Sequence, residues 1–180
     1  ENCKLALDSL SQDPQITHLS FSGWVGFFGY EFLVANCGIN LNAHRDLDVP
    51  DGWFARPGTI IHFFPEYTKI ESTDPNRERE LFTLLKNHVH TSQSDNSLFA
   101  KSISCNLEFH DYEKIFVRAR EAILDGETYQ IKISQRYEAE AKINPLRAFI
   151  KLHHSNPAPE SFLLTTADFS IVSCSPEVVI

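Results

Sequence analysis

Four polar side chains at alternate positions make residues 126–137 the first candidate for chemistry. They are Gln130, Lys132, Ser134 and Arg136. Successive side chains of a β-strand point to opposite faces, so a strand through this stretch would place all four on one face. Such a face suits either solvent or the wall of a polar cavity, and the residue types leave both interpretations open.

Glu177 and the loop Asn156-Pro157-Ala158-Pro159 are the other two candidates. Glu177 follows a proline in a β-rich stretch, where partial burial would raise the pKa of its carboxyl group and suit it to proton donation. Two prolines fix the backbone of the loop, which could form a stiff pocket wall. The simpler alternatives are an exposed glutamate and a connecting loop.

Local signals predict the elements that position these candidates. A strand is predicted through 126–137, and Asn144-Pro145 is typical of a helix start. Residues 161–166 and 169–174 are predicted to pair as a hairpin. Apolar residues at helical spacing predict a helix over 110–125, which Gly126 ends; they are Tyr112, Ile115, Ala119, Ala122 and Ile123.

The first half of the chain is predicted to combine short helices with strands. Small polar residues at 91–97 are typical of a linker, so we predict two regions, 1–95 and 96–180. Glycines between aromatic residues in 21–32 indicate a strand with close backbone approach. Helices are predicted over 3–10, over 31–36 and from Asp74-Pro75, a hairpin over 59–64 and 67–71, and a loop over 40–51.

The composition is that of an acidic globular protein. The chain has 180 residues, of which 42% are hydrophobic, and 14 Phe can supply an aromatic core. Its net charge of -8 argues against a general nucleic-acid binder, which needs a basic surface to neutralise phosphates. A small anionic substrate remains compatible, because a few Lys and Arg in a cleft act locally.

Cysteine and histidine spacing favours ordinary side chains over a metal centre. Cys3, Cys37, Cys105 and Cys174 are far apart, and the histidines show no HExxH spacing. We therefore expect reduced thiols and no zinc site. No apolar run approaches the roughly 18 residues of a membrane helix, which predicts a cytoplasmic protein. Because Met is absent and the chain ends on strand-like residues, we expect a piece of a longer polypeptide.

Six motifs in order resemble the chorismate-utilising enzyme family, and within it component I of aminodeoxychorismate synthase (para-aminobenzoate synthase) and of anthranilate synthase. Several spaced motifs in one order are more specific than any of them alone. The motifs are residues 23–31 (GWVGFFGYE), 47–54 (LDVPDGWF), 126–137 (GETYQIKISQRY), 144–146 (NPL), 155–159 (SNPAP) and 173–177 (SCSPE).

The resemblance implies an α/β (α+β) fold of antiparallel β-sheets flanked by helices. It also implies that this chain is an incomplete portion of the two-sheet fold that is typical of anthranilate synthase component I. It implies chorismate as substrate, Mg²⁺ bridging the substrate carboxylate, and ammonia supplied by a glutaminase subunit or domain. The Mg²⁺ ligands are expected beyond Ile180. We therefore expect the 180 residues alone to be inactive.

The resemblance also implies roles for individual residues. Gln130 lies where water-using members of the family carry a lysine general base, and ammonia does not need that base. Glu177 matches a glutamate that resembles a general acid assisting loss of the C4 hydroxyl group. Asn156 and Pro157 match a loop that holds tryptophan in the family, which makes a regulatory pocket. Glu160 departs from the family pattern there, so tryptophan itself is not implied.

Two reactions fit the resemblance. Asp51-Gly52-Trp53-Phe54 and Glu160 favour aminodeoxychorismate synthase component I, which aminates chorismate to 4-amino-4-deoxychorismate for folate and para-aminobenzoate biosynthesis. The alternative is anthranilate synthase component I, in tryptophan biosynthesis. A third hypothesis is a non-catalytic ligand-binding member of the family.

Overall fold

A computed structural model describes residues 3–12, 18–39, 45–87 and 100–175. The chain divides into two units, Glu1–Ser92 and Gln93–Ile180. The predicted linker at 91–97 and the candidate Glu177 lie outside the described residues.

The N-terminal unit alternates helices with two β-ribbons. β1 pairs with β2 and β3 pairs with β4, both antiparallel. The order is α1 (Cys3–Gln12), β1 (Val25–Phe28), α2 (Tyr30–Asn36), β2 (Gly52–Ala55), β3 (Thr59–Phe63), β4 (Thr68–Ser72) and α3 (Pro75–Lys86).

The C-terminal unit carries two further antiparallel ribbons, in which β5 pairs with β6 and β7 pairs with β8. All four sheets of the described residues are therefore two-stranded. The predicted fold class, antiparallel sheets flanked by helices, is confirmed. The order is β5 (Ala100–Cys105), α4 (Phe109–Leu124), β6 (Tyr137–Ala141), α5 (Pro145–Ser155), β7 (Phe162–Thr165) and β8 (Ser170–Ser173).

Close backbone approach is confirmed at Gly26, in the middle of β1. A Cβ atom there would overlap the carbonyl oxygen of Trp53 and lie 2.7 Å from Cδ1 of Phe54. Only a residue without a side chain allows β1 and β2 to come this close. Phe28 packs against Phe54 across the same ribbon, with ring centroids 4.6 Å apart.

Two of the predicted helix starts have the expected caps. The side chain of Asp74 accepts a hydrogen bond from the Asn76 amide, and Pro75 is the first residue of α3. Asn144 caps α5 in the same way by accepting from the Arg147 amide. Each cap satisfies one of the four amides that a helix start leaves without a partner in the helix.

The prediction of a strand through residues 126–137 is wrong for most of that stretch. Residues 127–136 belong to no helix or strand, and β6 begins at Tyr137, where Cys105 becomes its partner. No described strand lies beside residues 127–136 to complete a ladder, so alternation of side chains alone does not make a strand here. β2 and β5, in contrast, are strands that no local signal indicates.

The two units differ in how well they bury apolar side chains. Leu19 and Val34, both in the N-terminal unit, are 6% and 8% exposed. Among the described residues of the C-terminal unit, none is buried to that degree. The described core therefore lies in the N-terminal unit.

Candidate functional site

The first candidate stretch begins at the C-terminus of α4, where hydrogen bonds to the last turn of the helix hold Gly126 and Glu127. Gly126 has φ of 76°, a left-handed conformation that glycine adopts without steric cost. Its amide donates to the Ile123 carbonyl (3.2 Å), and the Glu127 amide donates to the Ala122 carbonyl (3.0 Å). These two bonds form a Schellman motif, which turns the chain back along the helix.

Residues 127–136, called here the return segment, are held at their far end by the turn after β5. The Arg136 amide donates to Oδ1 of Asn106 (2.7 Å), and the Asn106 amide donates to the Arg136 carbonyl (3.0 Å). The side chain of Gln135 donates to Sγ of Cys105 (3.1 Å). The segment is thus anchored at both ends by local hydrogen bonds.

The predicted polar face of the return segment is in contact with solvent. Gln130, Lys132, Ser134 and Arg136 are all exposed. Arg136 forms an ion pair with Glu138 (2.7 Å), and the exposed setting makes this pair a small contribution to stability. None of the four residues lines either of the grooves beside α4, and the role of this face in a site stays a prediction.

Two adjoining grooves separate the return segment from α4. The larger, about 550 Å³, is lined by apolar residues together with Arg118, Glu121, Asp125 and Glu127. Three carboxylates against one guanidinium make it unfavourable for an anionic ligand such as chorismate. The smaller, about 230 Å³, is almost wholly apolar; it is lined by Phe116, Ala119, Arg120, Ile123, Leu124, Ile131 and Ile133.

The loop that contains Asn156 and Pro157 is held to α5 by hydrogen bonds. The Asn156 amide donates to the Leu152 carbonyl (2.8 Å), and α5 ends here because the backbone of Asn156, with φ of −142° and ψ of 72°, is no longer helical. Oγ of Ser161 donates to the Ala158 carbonyl (2.6 Å) and lies 3.2 Å from Nδ1 of His153. These bonds close the loop onto the last turn of α5, with both Asn156 and Pro157 exposed.

The described contacts do not bring the predicted site residues together. No hydrogen bond or ion pair in the described ranges joins Gln130 to Asn156 or Pro157. Since Glu177 lies outside those ranges, its position relative to Gln130 is not described either. The site assignments therefore remain predictions.

A polar cluster that the sequence did not indicate joins the β3–β4 hairpin to Ser20, five residues before the start of β1. Ser20 donates from both its amide (3.0 Å) and its hydroxyl group to Oε2 of Glu71. Lys69 pairs with the other carboxylate oxygen of Glu71, and Nε2 of His62 lies 3.0 Å from Oγ of Ser20. These contacts hold the pKa of Glu71 at about 2, chiefly through Lys69 and then Ser20.

The Ser20 cluster is structural and is not a catalytic triad. In a triad the histidine uses its two ring nitrogens for the nucleophile and the carboxylate separately, whereas Nε2 of His62 faces both Ser20 and Glu71. The observed register of the hairpin pairs Ile60 with Glu71 and His62 with Lys69, which places His62 and Glu71 on the same face. Only the tertiary structure brings Ser20 to that face.

The described residues offer no metal centre and no membrane helix. They contain no group of three or more His, Cys, Asp or Glu side chains placed to hold a metal ion. The described part of the chain therefore does not by itself fit the Mg²⁺ that the resemblance implies. None of its helices is long and apolar enough to cross a bilayer.

The mixed fold of small antiparallel sheets flanked by helices is that of a solved relative. It superposes on anthranilate synthase component I from Streptococcus pneumoniae TIGR4 with a TM-score of 0.73 and 21% sequence identity. The match covers 98% of this chain and 44% of that chain. At this identity the likeness shows the fold alone.

Residues 2–180 match the family model described as chorismate binding enzyme, so the chain belongs to that family. It is 24% identical to anthranilate synthase component 1 of Lactococcus lactis over 97% of this chain and 41% of the relative. It is 27% identical to aminodeoxychorismate synthase of Streptomyces pristinaespiralis over 86% of this chain and 24% of the relative. The chain thus spans less than half the length of these relatives, and both reactions occur among them.

Proposed function

We propose that this chain forms part of an enzyme that aminates chorismate with ammonia to give 4-amino-4-deoxychorismate. Membership of the chorismate binding enzyme family supports the substrate. The glutaminase that delivers ammonia and the Mg²⁺ ion belong to the proposal, with the metal ligands supplied by residues outside this chain.

The observation that carries the choice of nucleophile is the side chain of Gln130. A neutral amide cannot accept a proton from water near neutral pH, whereas a lysine at this place could. Lys132 lies two residues further along the return segment and is exposed. Ammonia already carries its reactive lone pair, so an uncharged residue at position 130 is sufficient for amine transfer.

The other site residues keep their proposed roles. Glu177 is the proposed general acid for loss of the C4 hydroxyl group. Asn156 and Pro157 form the wall of a proposed regulatory pocket, and the bonds from Ser161 and His153 keep that wall rigid. Glu160 stands next to it and adds a negative charge, which disfavours an effector that presents a carboxylate at that point.

Anthranilate synthesis is the second candidate. The Lactococcus relative with that name aligns over nearly the whole chain, whereas the Streptomyces relative aligns over a smaller share. The two candidates share substrate and nucleophile and differ in the product.

Product analysis of the full-length protein with chorismate, ammonium and Mg²⁺ separates the candidates. We expect 4-amino-4-deoxychorismate, which an added lyase converts to para-aminobenzoate. Fluorescent anthranilate would support the second candidate instead. No turnover under conditions where the folded protein binds chorismate would support the non-catalytic hypothesis. The 180 residues alone are expected to give no product.

The variant Gln130→Lys tests the role of position 130 in the same assay. We expect the ammonia-derived product to fall about tenfold or more, and a water-derived hydroxylated product to appear, because lysine supplies the missing base. Lys132→Gln is the matched control, since it changes a neighbouring exposed side chain of the same face. Equal product ratios for both variants would contradict the assignment.

A further inference from the structure

The turn that leads into β7 is closed by one serine. The amide of Ser161 donates to the Ala158 carbonyl (3.3 Å), and its hydroxyl group donates to the same oxygen (2.6 Å). Pro159 occupies the second position of this four-residue turn, where the proline ring fixes a backbone angle that such turns need. The Ser161 hydroxyl group thus adds a half-buried bond to a turn that the backbone already forms.

The hydroxyl group of Ser161 also determines how His153 is protonated. A serine hydroxyl has one proton and a carbonyl oxygen can only accept, so this proton lies in the bond to Ala158. Nδ1 of His153, in the last turn of α5, is 3.2 Å from the same Oγ atom. Because Nδ1 faces a lone pair of that oxygen, it must itself carry a proton. His153 is therefore a donor at Nδ1, and Ser161 links α5 to the turn.

The residues on either side of Ser161 belong to the β7–β8 hairpin. Phe162 pairs with Ser173 in the register of the two strands. The Glu160 amide donates to the Ser175 carbonyl (3.2 Å), which continues the same register by two residues. α5 packs against both strands. The bonds of Ser161 therefore hold in place the amide that binds Ser175.

Ser175 lies two positions before Glu177, and the residue between them is a proline. A proline restricts the residue before it to extended backbone conformations. Few rotatable backbone bonds therefore separate the held carbonyl group of Ser175 from the proposed general acid. A displacement of Ser175 is expected to move Glu177 with it.

We infer that Ser161 is a positioning residue for Glu177, and that His153 supports it by donating from Nδ1. Ser161 acts through the bond between Glu160 and Ser175, which fixes the direction in which the chain leaves β8. The inference rests on the proposed function, because it needs Glu177 to act as the general acid. A misplacement of about 1 Å can slow a reaction about hundredfold, so the bonds of Ser161 matter for turnover more than for substrate binding.

Steady-state kinetics of the full-length protein with chorismate, ammonium and Mg²⁺ test the inference. Ser161→Ala removes the hydroxyl group and is expected to lower kcat about tenfold, while KM for chorismate stays within about twofold. Ser161→Thr keeps the hydroxyl group and is expected to recover most of kcat. Ser155→Ala is the matched control and should leave both constants unchanged, because the Ser155 hydroxyl group donates within α5, to the Leu152 carbonyl (3.0 Å).

A double-mutant cycle with Glu177→Gln separates positioning from a general structural effect. If Ser161 acts through Glu177, removal of the carboxyl group leaves nothing to position. Ser161→Ala should then lower kcat by less than about twofold in the Glu177→Gln background. A general loss of structure would instead lower kcat by the same factor in both backgrounds.

Substitutions of His153 test the direction of its hydrogen bond. The side-chain nitrogen of Asn lies near the position of Nδ1 in histidine, whereas that of Gln lies near Nε2. We expect His153→Asn to keep kcat within about twofold of wild type, because it can donate to Ser161. His153→Gln and His153→Ala are expected to lower kcat about threefold, a smaller effect than that of Ser161→Ala because His153 is exposed.

The inference is wrong if Ser161→Ala keeps the wild-type kcat or raises KM alone. It is also wrong if the loss is the same with and without Glu177, or if Ser155→Ala causes an equal loss. Equal rates for Asn and Gln at position 153 would refute the donor role of His153. Should Ser161→Ala fail to fold, His153→Ala takes its place in the cycle with Glu177→Gln, and an unchanged kcat for it would overturn the inference.

Failure of the proposed function gives a different result. A wild-type protein that forms no product, or a fully active Glu177→Gln variant, would refute the proposed role of Glu177 and the inference with it. A slow Glu177→Gln variant beside a fully active Ser161→Ala variant would refute the inference alone.

Discussion

The N-terminal unit holds the described core, while the C-terminal unit holds the described candidate site residues on an open surface. Leu19 and Val34 are buried in the first unit, and the Ser20 cluster ties a loop to a hairpin 51 residues further along. In the second unit Gln130, Asn156 and Pro157 are all exposed. Among the described residues, the unit that holds the candidate site residues is thus the one that buries less apolar surface.

The difference lies in the burial of apolar side chains, since both units also contain bonds between distant residues, such as those between Asn106 and Arg136 in the C-terminal unit. In the C-terminal unit the described bonds around α4 and α5 are mostly between neighbours in sequence, such as the helix caps and the Schellman motif at Gly126. Local bonds define the shape of a segment but bury little apolar surface, which is the dominant favourable term in folding. The described part of the C-terminal unit therefore gains less of this term than the described part of the N-terminal unit.

Among the variants that test this comparison, Gly26→Ala in the N-terminal unit has the largest expected effect on stability. The added methyl group overlaps the Trp53 carbonyl oxygen, so β1 and β2 must separate. We expect a loss of about 3 kcal/mol in the free energy of unfolding, measured by urea denaturation.

Gly52→Ala is the matched control in the same ribbon. A Cβ atom at Gly52 has no neighbour closer than 3.5 Å, so the change should stay within about 0.5 kcal/mol of wild type. Equal effects at the two glycines would show that the close approach at Gly26 does not contribute to the stability of the ribbon.

The helix caps allow a matched test across the two units. Asp74→Ala and Asn144→Ala each remove one side-chain bond to a helix amide, which is expected to cost about 1 kcal/mol. Hydrogen exchange should show lower protection in α3 and β4 for the first variant, and in α5, β7 and β8 for the second, following the packing of each helix.

Asp74→Asn and Asn144→Asp keep a capping oxygen and should restore most of the protection. If either alanine variant lowered protection equally in the helices of both units, the two units would not be separate in stability.

The smallest expected effect is the acid sensitivity of the Ser20 cluster. The folded pKa of Glu71 is about 2, below the ordinary value of 4.5. The stability that this shift contributes is therefore complete above about pH 4.5 and is lost as the pH falls towards 2. The difference in Tm between wild type and Glu71→Gln should shrink over that window.

Glu66→Gln, in the turn of the same hairpin, serves as the control for removal of one negative charge. It should show no such pH-dependent difference in Tm. A constant difference between wild type and Glu71→Gln from about pH 6 to pH 2.5 would rule out the linkage.

Sequence patterns predicted the elements whose signals are local. The starts of α3 and α5, the end of α4 at Gly126, and the hairpins β3–β4 and β7–β8 are confirmed. Caps and hairpin turns act between residues a few positions apart, so their signals remain readable without the tertiary structure.

The elements that the sequence did not predict depend on partners far along the chain. β2 pairs with β1 across α2 and a loop, and β5 pairs with β6 across α4. No turn signal marks such pairs, because the two strands are separated by a helix. The Ser20 cluster escaped prediction for the same reason, since its serine and its carboxylate are 51 residues apart.

The return segment shows most clearly what the sequence determines and what the tertiary structure determines. The sequence by itself determined the alternation of Ile131 and Ile133 with Gln130 and Lys132, because side-chain direction along an extended chain has period two. The tertiary structure decided that these residues form no ladder in this chain, because a β-strand is completed by hydrogen bonds to a neighbour. Alternation is a property of one segment, whereas a sheet is a property of two.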